Sequence, residues 1–152
     1  MQPNNLFSST QIALLRESFA VLATDAEIHN LALFNRLFEL DPDLRFLFPE
    51  DLHPHWHRLV AMIGYVVRRL DRWDRVEPRI RNLGLRHTAY GARTADYATF
   101  ERAIRDVIGA RLGLSEDSPT MLAWSALFSA VSRSMIEAAE SSVGSSPAFE
   151  PA

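Results

Sequence analysis

The sequence predicts an all-α protein, and three observations support this prediction. Apolar residues recur at intervals of three and four along most of the chain, which is the periodicity of a helix that buries one face. Alternating β-branched stretches and Asn-Gly hairpin signals are both absent. Turn and cap residues divide the helical pattern into six main helices with short connections.

The N-terminal third contains two helices and a helical turn. A Ser/Thr cap opens the first helix, residues 8–24. Its apolar stripe consists of Ile12, Leu15, Phe19 and Leu22. The second helix covers about residues 26–40, and Asp41-Pro42 then starts a short helical turn that stops at Pro49.

Two helices occupy the middle of the chain. Pro54 suits the first turn of a helix, and the apolar pattern that follows it runs to Leu70. After a charged connection, a second helix begins near Val76, reaches His87 and is ended by Gly91. The sequence therefore predicts that a short connection joins two helices with a histidine at each far end.

Two amphipathic helices complete the chain. Residues 94–113 carry a regular apolar stripe and end on a glycine, and Ser118-Pro119 opens the last helix. Ser, Pro and small residues dominate residues 141–152, so we expect a disordered C-terminal tail there.

Composition indicates one ordinary domain. The chain has 152 residues, of which 47% are hydrophobic and 23% are charged. A net charge of −3 favours neither nucleic acid nor an anionic membrane as a partner. The absence of cysteine excludes disulfides and thiolate metal sites. Because no signal peptide or membrane-length apolar stretch is present, we expect a cytoplasmic protein.

The segment "HPHWH" places three histidines at alternate positions. On a helix, His53 and His57 share a face, whereas His55 points elsewhere. The pair offers part of a zinc site, but a closed zinc site needs four ligands, and the nearby carboxylates are Glu50 and Asp51. Solvated histidines at a helix start are the simpler interpretation, and zinc remains the alternative.

His55 and His87 form a different pair, with the apolar segment "LVAMIGYVV" between them. Two facing helices can each offer one imidazole to a cavity. Candidate lining residues are Phe34, Phe46, Phe48, Leu59, Ile63 and Val66. A flat iron macrocycle needs such an apolar slot, an axial nitrogen and cations for its carboxylates, which Arg58 and Arg86 can provide. Aromatic stripes also occur in plain cores, so both interpretations stay open.

Several segments together resemble the globin family. "LFNRLFELDPDLRFLFP" is similar to the globin segment that joins the second and third helices, and "RLVAMIGYVV" to the distal helix. "LGLRHTAYGA" is similar to the proximal motif "LGxRHxxYGV" of bacterial globins. "ADYATFERAIRDVIG" and "AWSALF" fit the last two helices. The chain resembles single-domain bacterial globins related to flavohaemoglobins, and also neuroglobins, over residues 8–140.

The resemblance implies a globin fold with helices A–C and E–H and a short or absent helix D. Residues 1–7 then form an N-terminal extension, and residues 141–152 follow the domain. The implied cofactor is haem b. His87 takes the position of the proximal iron ligand, and His55 takes the distal position, where it binds the iron or a ligand on it.

Other site residues follow from the same resemblance. Leu59 corresponds to the apolar residue over the iron, and Phe48 to the phenylalanine that packs on haem. Phe34 matches the distal aromatic of the second helix. Arg58 lies where neuroglobins have a cation near a haem carboxylate, and Arg86 is the second candidate for that role.

Two departures from the bacterial pattern affect the expected chemistry. Relatives that detoxify nitric oxide carry tyrosine at Phe34 and glutamine at His55, so the distal pair resembles that of neuroglobins. Tyr97 matches a tyrosine that joins a glutamate near the proximal histidine in flavohaemoglobins, but the aligned position here is Ala139. The peroxidase-like use of that dyad is therefore in doubt.

The resemblance implies reversible binding of O2, CO and NO, with His55 on the iron at rest. The alternative is a nitric oxide dioxygenase that works with a separate reductase, and a third hypothesis is a haem-free interaction module. Trp56 and Trp73 are expected to be partly exposed. Three large apolar residues of the last helix are expected to pack in the core rather than contact a cofactor: Trp124, Phe128 and Met135.

Overall fold

Six α-helices and two 3-10 helices make up the part of the chain that this computed structural model describes, residues 6–24 and 26–145. The α-helices are α1 (Ser9–Thr24), α2 (Ala26–Leu40), α3 (His53–Arg68), α4 (Trp73–Ala89), α5 (Thr94–Leu112) and α6 (Pro119–Ser145). The 3-10 helices cover Pro42–Leu47 and Leu70–Arg72. The described residues contain no strand, so the all-α prediction is confirmed.

Turn chemistry accounts for several helix ends. The Asp41 carboxylate accepts a hydrogen bond from the backbone N–H of Asp43 at 3.1 Å, and Pro42 occupies the first turn of the 3-10 helix. Gly91 and Gly113 end α4 and α5 with φ of 103° and 68°, in the left-handed region that side chains disfavour. These four signals are where the sequence predicted them.

Two tryptophans expected at the surface are buried instead. Trp56 and Trp73 expose only 8% and 6% of their surface. Trp73 packs edge to face against Phe7 with ring centroids 5.8 Å apart. Phe7 belongs to the predicted N-terminal extension, yet only 4% of it is exposed. This contact anchors the start of α4, which begins three residues before Val76 because Trp73 joins the core.

The last helix is longer than predicted. Residues 141–145 were expected in a disordered tail, but α6 continues to Ser145. Serine is only moderately unfavourable in a helix, and extending a helix avoids the cost of nucleating one. Residues 146–152 of the predicted tail, and residues 1–5 of the predicted extension, lie outside the described part of the chain.

The helices pack so that α3 and α4 are separated by a cavity. α1 and α4 each pack along α6, and α2 packs along α5. Gly84 lets α4 approach α6 closely, since a Cβ there would lie 2.5 Å from the carbonyl oxygen of Met135. None of the described helices is long and apolar enough to cross a bilayer.

Candidate functional site

A cavity of about 240 Å³ lies between α3 and α4, with the start of one helix facing the end of the other. Its wall is predominantly apolar and receives side chains from α2, α3, α4, α5 and α6. Eight of the residues predicted for the site or its wall line it: Phe34, Phe48, His55, Leu59, Ile63, Val66, His87 and Tyr97. The structure thus brings together residues that are up to 63 positions apart in the sequence.

His87 lies in the last turn of α4 and has a defined tautomer. Its Nδ1 lies 2.9 Å from the backbone carbonyl oxygen of Leu83. A carbonyl oxygen only accepts hydrogen bonds, so Nδ1 carries the proton and Nε2 keeps its lone pair. The backbone bond holds the ring in the same way that outer-sphere bonds orient histidine ligands of metals.

The pKa of the His87 imidazole is lowered. Burial is the main cause, the bond to the Leu83 carbonyl opposes it, and the positive charge of Arg86 adds to it. Although much of the ring surface is accessible, the ring lines the cavity, where a charged imidazolium is poorly solvated. The neutral form that a metal requires is therefore favoured.

His55 lies in the first turn of α3, on the opposite wall. Its ring packs edge to face against Phe48 at a centroid distance of 5.4 Å. The pKa of His55 is lowered, first by burial and then by the charge of Arg58. The Nη2 of Arg58 lies 3.5 Å from Nδ1 of His55, a contact too long to fix the tautomer.

A cluster of three phenylalanines lies at one side of the cavity, and two of them, Phe34 and Phe48, line it. Phe34, Phe38 and Phe48 form a cluster with ring centroids 5.6 to 6.2 Å apart. Phe34 is 4% exposed, so α2 contributes a bulky side chain without a hydroxyl to this wall. The cluster holds Phe48 in place beside His55, and the surface it presents suits a flat apolar ligand.

Tyr97 brings a buried hydroxyl to the cavity. Within the described residues this hydroxyl has no hydrogen-bond partner. Burial raises the pKa of the Tyr97 phenol, and the Asp96 carboxylate raises it further. Both Glu137 and Glu140, the acidic residues that flank Ala139, are exposed.

One sequence expectation about the cavity rim is wrong. Phe46 was expected to line the cavity, but it is 86% exposed and points away from it. It lies on the 3-10 helix, where a turn of three residues turns Phe46 outward while Leu44 and Phe48 turn inward. Arg58 and Arg86 are exposed neighbours of the lining residues and are not part of the wall.

Several lining residues were not singled out from the sequence as site residues. Phe128 and Met135 were predicted to serve the core only, yet they both pack in the core and line the cavity. The other additions are Leu37, Leu44, Leu47, Met62, Ile80, Leu83, Ala92, Asp96, Phe100, Leu127, Val131 and Ser132. Most lie on apolar helix stripes, whose periodicity marks burial but does not distinguish a cavity wall from close-packed core.

His53 and His57, the two histidines of the possible zinc site, lie outside this cavity. His53 is exposed, and its Nδ1 lies 3.1 Å from the carboxylate of Asp51. His57 is also exposed. Among the described residues, no group of three or more His, Cys, Asp or Glu side chains is arranged to hold a metal ion. The zinc alternative therefore finds no support in this part of the molecule.

Comparison with known proteins identifies the family. The Globin family model matches residues 31–135. Neuroglobin from Dissostichus mawsoni is 31% identical over 137 residues, which cover 80% of this chain and 86% of that protein.

Solved structures share the fold at low sequence identity. A bacterial globin from Campylobacter jejuni superposes with a TM-score of 0.78 at 14% identity, over 90% of this chain and 99% of the other. A flavohaemoglobin from Malassezia yamatoensis, with FAD and haem bound, gives a TM-score of 0.72 at 13% identity over 90% of this chain and 37% of the other. The family match and the shared architecture agree with the cavity geometry, and the chain belongs to the globin family.

Proposed function

We propose that this protein binds haem b in the cavity between α3 and α4 and uses it to bind O2, CO and NO reversibly. Globins bind small gaseous ligands through haem. The proposal rests on one observation: two imidazoles from facing helices line a single apolar cavity. When bound, haem supplies the iron that takes up diatomic gases, and the protein supplies the ligands and the environment.

His87 is proposed as the proximal ligand. Its Nδ1–H donates to the Leu83 carbonyl, which leaves the Nε2 lone pair available to a metal. Leu59 and Phe48 provide the apolar surface for the ring system. Arg58 and Arg86, exposed beside the two histidines, are proposed to meet the haem carboxylates at the solvent edge.

His55 is proposed to occupy the iron in the resting protein and to leave when a gas binds. Leu52 gives α3 no side-chain cap, and the exposed Asp51 carboxylate accepts a hydrogen bond from the His53 N–H at 3.1 Å. The start of the helix that carries His55 is therefore held by an exposed side-chain bond. The long contact to Arg58 leaves both tautomers of His55 accessible. His55 can therefore bind the iron through a lone pair or donate a hydrogen bond to a gas in the cavity.

Absorption spectra test this proposal. The reduced protein without a gas should show the sharp, split visible bands of six-coordinate iron, and His55→Leu should show the single broad band of five-coordinate iron. His53→Leu, on the same helix but outside the cavity, is the matched control and should keep the wild-type spectrum. An unchanged His55→Leu spectrum would refute the resting coordination. Retention of a normal haem spectrum by His87→Ala would refute the proximal assignment.

This function requires a separate electron donor. Haem iron held in this cavity would need one electron from a donor after oxidation before it could bind O2 again. This requirement also holds for the alternative function, a nitric oxide dioxygenase. In the Malassezia flavohaemoglobin structure, FAD and haem are bound together. Here we propose that a separate reductase supplies the electron, and steady-state NO consumption with such a donor tests the enzymatic alternative.

A further inference from the structure

Charge is unevenly distributed over this chain. Residues 58–86 contain eight arginines and three carboxylates, so this segment has a net charge of +5 in a protein whose total is −3. The rest of the chain then has a net charge of −8. The positive segment is α3, α4 and the 3-10 helix between them, the elements that enclose the cavity.

Six of these arginines form an exposed surface that we call the arginine ridge: Arg58, Arg69, Arg72, Arg75, Arg79 and Arg86. Three of them, Arg75, Arg79 and Arg86, lie on α4, and Arg72 directly precedes it. Their spacing is helical, so they lie on one flank of that helix. From Arg72 to Arg86 the row is about 21 Å long at the rise of an α-helix.

A contact between side chains joins the two helices within the ridge. The guanidinium groups of Arg69 and Arg79 both lie over the ring of Tyr65, with their central carbons 4.0 and 4.6 Å from the ring centroid. Both guanidinium groups are thereby held in place, although their positive charges repel each other. Their hydrogen-bonding edges remain available to an anion, apart from one bond from Arg69 to the Tyr65 carbonyl at 3.3 Å.

The ridge lacks the carboxylate partners that arginines have elsewhere. Among the side chains that the structure describes, no carboxylate lies within 4.0 Å of a guanidinium nitrogen of its six members. Arg16, Arg36, Arg93 and Arg102, which lie outside the ridge, all make ion pairs. A row of cations without carboxylate partners generates a positive potential that attracts a negatively charged partner.

An exposed apolar patch lies at the cavity end of the ridge. Phe46 and Tyr90 are 86% and 77% exposed, and Leu47 is 42% exposed. The Leu47 side chain lies 3.3 Å from the Cβ position of Gly91, so it lies beside the turn that directly follows Tyr90. The Tyr90 N–H bonds to the Arg86 carbonyl, which places the patch beside the ridge. Exposed aromatic residues next to arginines are typical of protein interfaces.

We propose that the arginine ridge and this patch bind the acidic surface of a one-electron donor protein, which reduces the haem from the Arg58 and Arg86 edge of the cavity. This inference rests on the proposed function. One electron passes from the donor's reduced flavin or iron–sulfur centre to ferric iron, so the donor is oxidised by one electron and the iron becomes ferrous. A compact acidic protein fits better than a long polyanion, because the remainder of this chain is itself negative.

Binding is measured first, with an acidic flavodoxin in its oxidised form as the probe and haem-loaded protein in a calorimeter. Arg69→Gln/Arg75→Gln/Arg79→Gln should weaken binding by about tenfold or more at low salt. Arg36→Gln/Arg102→Gln/Arg105→Gln removes the same charge from α2 and α5 and should change the dissociation constant less than twofold. Equal effects of the two triple variants would overturn the proposal.

A single substitution tests the proposal even if the triple variant does not fold. Arg75 is exposed and makes no side-chain bond in the described residues, so Arg75→Glu should fold normally. It should weaken flavodoxin binding and slow haem reduction by reduced flavodoxin at low salt, with a smaller difference at high salt. Wild-type binding by folded Arg75→Glu would contradict the proposal.

Chemical reduction separates failure of this inference from failure of the proposed function. Dithionite needs no docking surface, so it should reduce every variant and allow CO binding. If haem does not bind, the proposed function fails. If haem and CO bind normally but the ridge variants bind flavodoxin as the wild type does, only the ridge proposal fails. Ridge-dependent sedimentation with phosphatidylserine vesicles, without flavodoxin binding, would also overturn it.

Discussion

Two buried tryptophans differ in hydrogen bonding: the indole N–H of one has a partner, and that of the other has none among the described residues. The Trp124 Nε1–H donates to the Ser18 hydroxyl at 2.9 Å, and that hydroxyl donates to the Leu14 carbonyl at 2.7 Å. The Trp56 Nε1–H is buried with no partner in the described residues. An unpaired buried donor loses its bond to water without replacement, so the two indoles differ in their contribution to stability.

Replacement of each tryptophan by phenylalanine measures this difference. Trp124→Phe removes a satisfied buried bond along with apolar volume, and it should cost about 2 to 4 kcal/mol of unfolding free energy. Trp56→Phe also loses volume but removes an unsatisfied donor, so its cost should be smaller by about 1 kcal/mol or more. Urea unfolding of the two apoproteins is the measurement. An equal loss in both would mean that the Trp56 indole has a partner.

At the scale of elements, one glycine sets the distance between α4 and α6. A Cβ on Gly84 would lie 2.5 Å from the Met135 carbonyl oxygen and 2.6 Å from its Cα. Backbone atoms cannot move aside as a flexible side chain does, so the helices would have to separate. Because α4 carries His87, its position against α6 also determines how far the His87 ring reaches into the cavity.

Gly84→Ala should therefore destabilise the protein by about 1 to 3 kcal/mol, the cost of overpacking. Gly109→Ala is the matched control in α5, where the nearest atom to the added Cβ lies 3.4 Å away. It should be neutral or stabilising by up to about 1 kcal/mol, since alanine favours the helix. Denaturant unfolding of both variants checks the pair. A Gly84→Ala protein as stable as Gly109→Ala would show that the two helices can separate without cost.

At the scale of the whole molecule, acid stability depends in part on the junction between α2 and α5. Asp96 accepts hydrogen bonds from the Arg93 backbone N–H at 2.8 Å and from its guanidinium at 2.9 Å. Burial alone would raise the pKa of Asp96, but the Arg93 bonds outweigh it and lower that pKa below 3.8. Arg93 also lies 3.7 Å from Asp41, so it connects the end of α2 to the start of α5.

The sign of the pH effect follows from the lowered pKa. Asp96 contributes its full stability above the unfolded pKa near 3.8, and the contribution is lost as pH falls through the lower folded pKa. Asp96→Asn should cost about 1 to 2 kcal/mol at neutral pH and should flatten the acid side of the stability curve. Thermal unfolding as a function of pH checks this, with the exposed Asp117→Asn as the control. If the stabilities of Asp96→Asn and the wild type fell equally steeply as the pH is lowered, the lowered pKa of Asp96 would be contradicted.

Much of the fold and part of the site were predictable. Helical periodicity located the six helices, because the alternation of apolar and polar residues reports directly on which face is buried. Motif resemblance selected His55 and His87, which the fold then places on one cavity. Phe46 was predicted to line the cavity and Trp73 to be partly exposed, and both predictions were wrong. The 3-10 helix turns Phe46 outward, and the burial of Trp73 depends on its contact with Phe7, which is distant in the sequence.

By itself, the sequence determined the number of helices, several of their ends and the two histidines proposed for the site, because caps, glycines and periodic stripes act over a few neighbouring residues. Only the tertiary structure decided which stripes enclose a cavity and which arginines remain unpaired. Tyr65 meets Arg79 only after α3 and α4 fold back along each other. An apolar stripe shows which side of a helix is buried. Which other helix packs against that side depends on how all the helices are arranged in the fold.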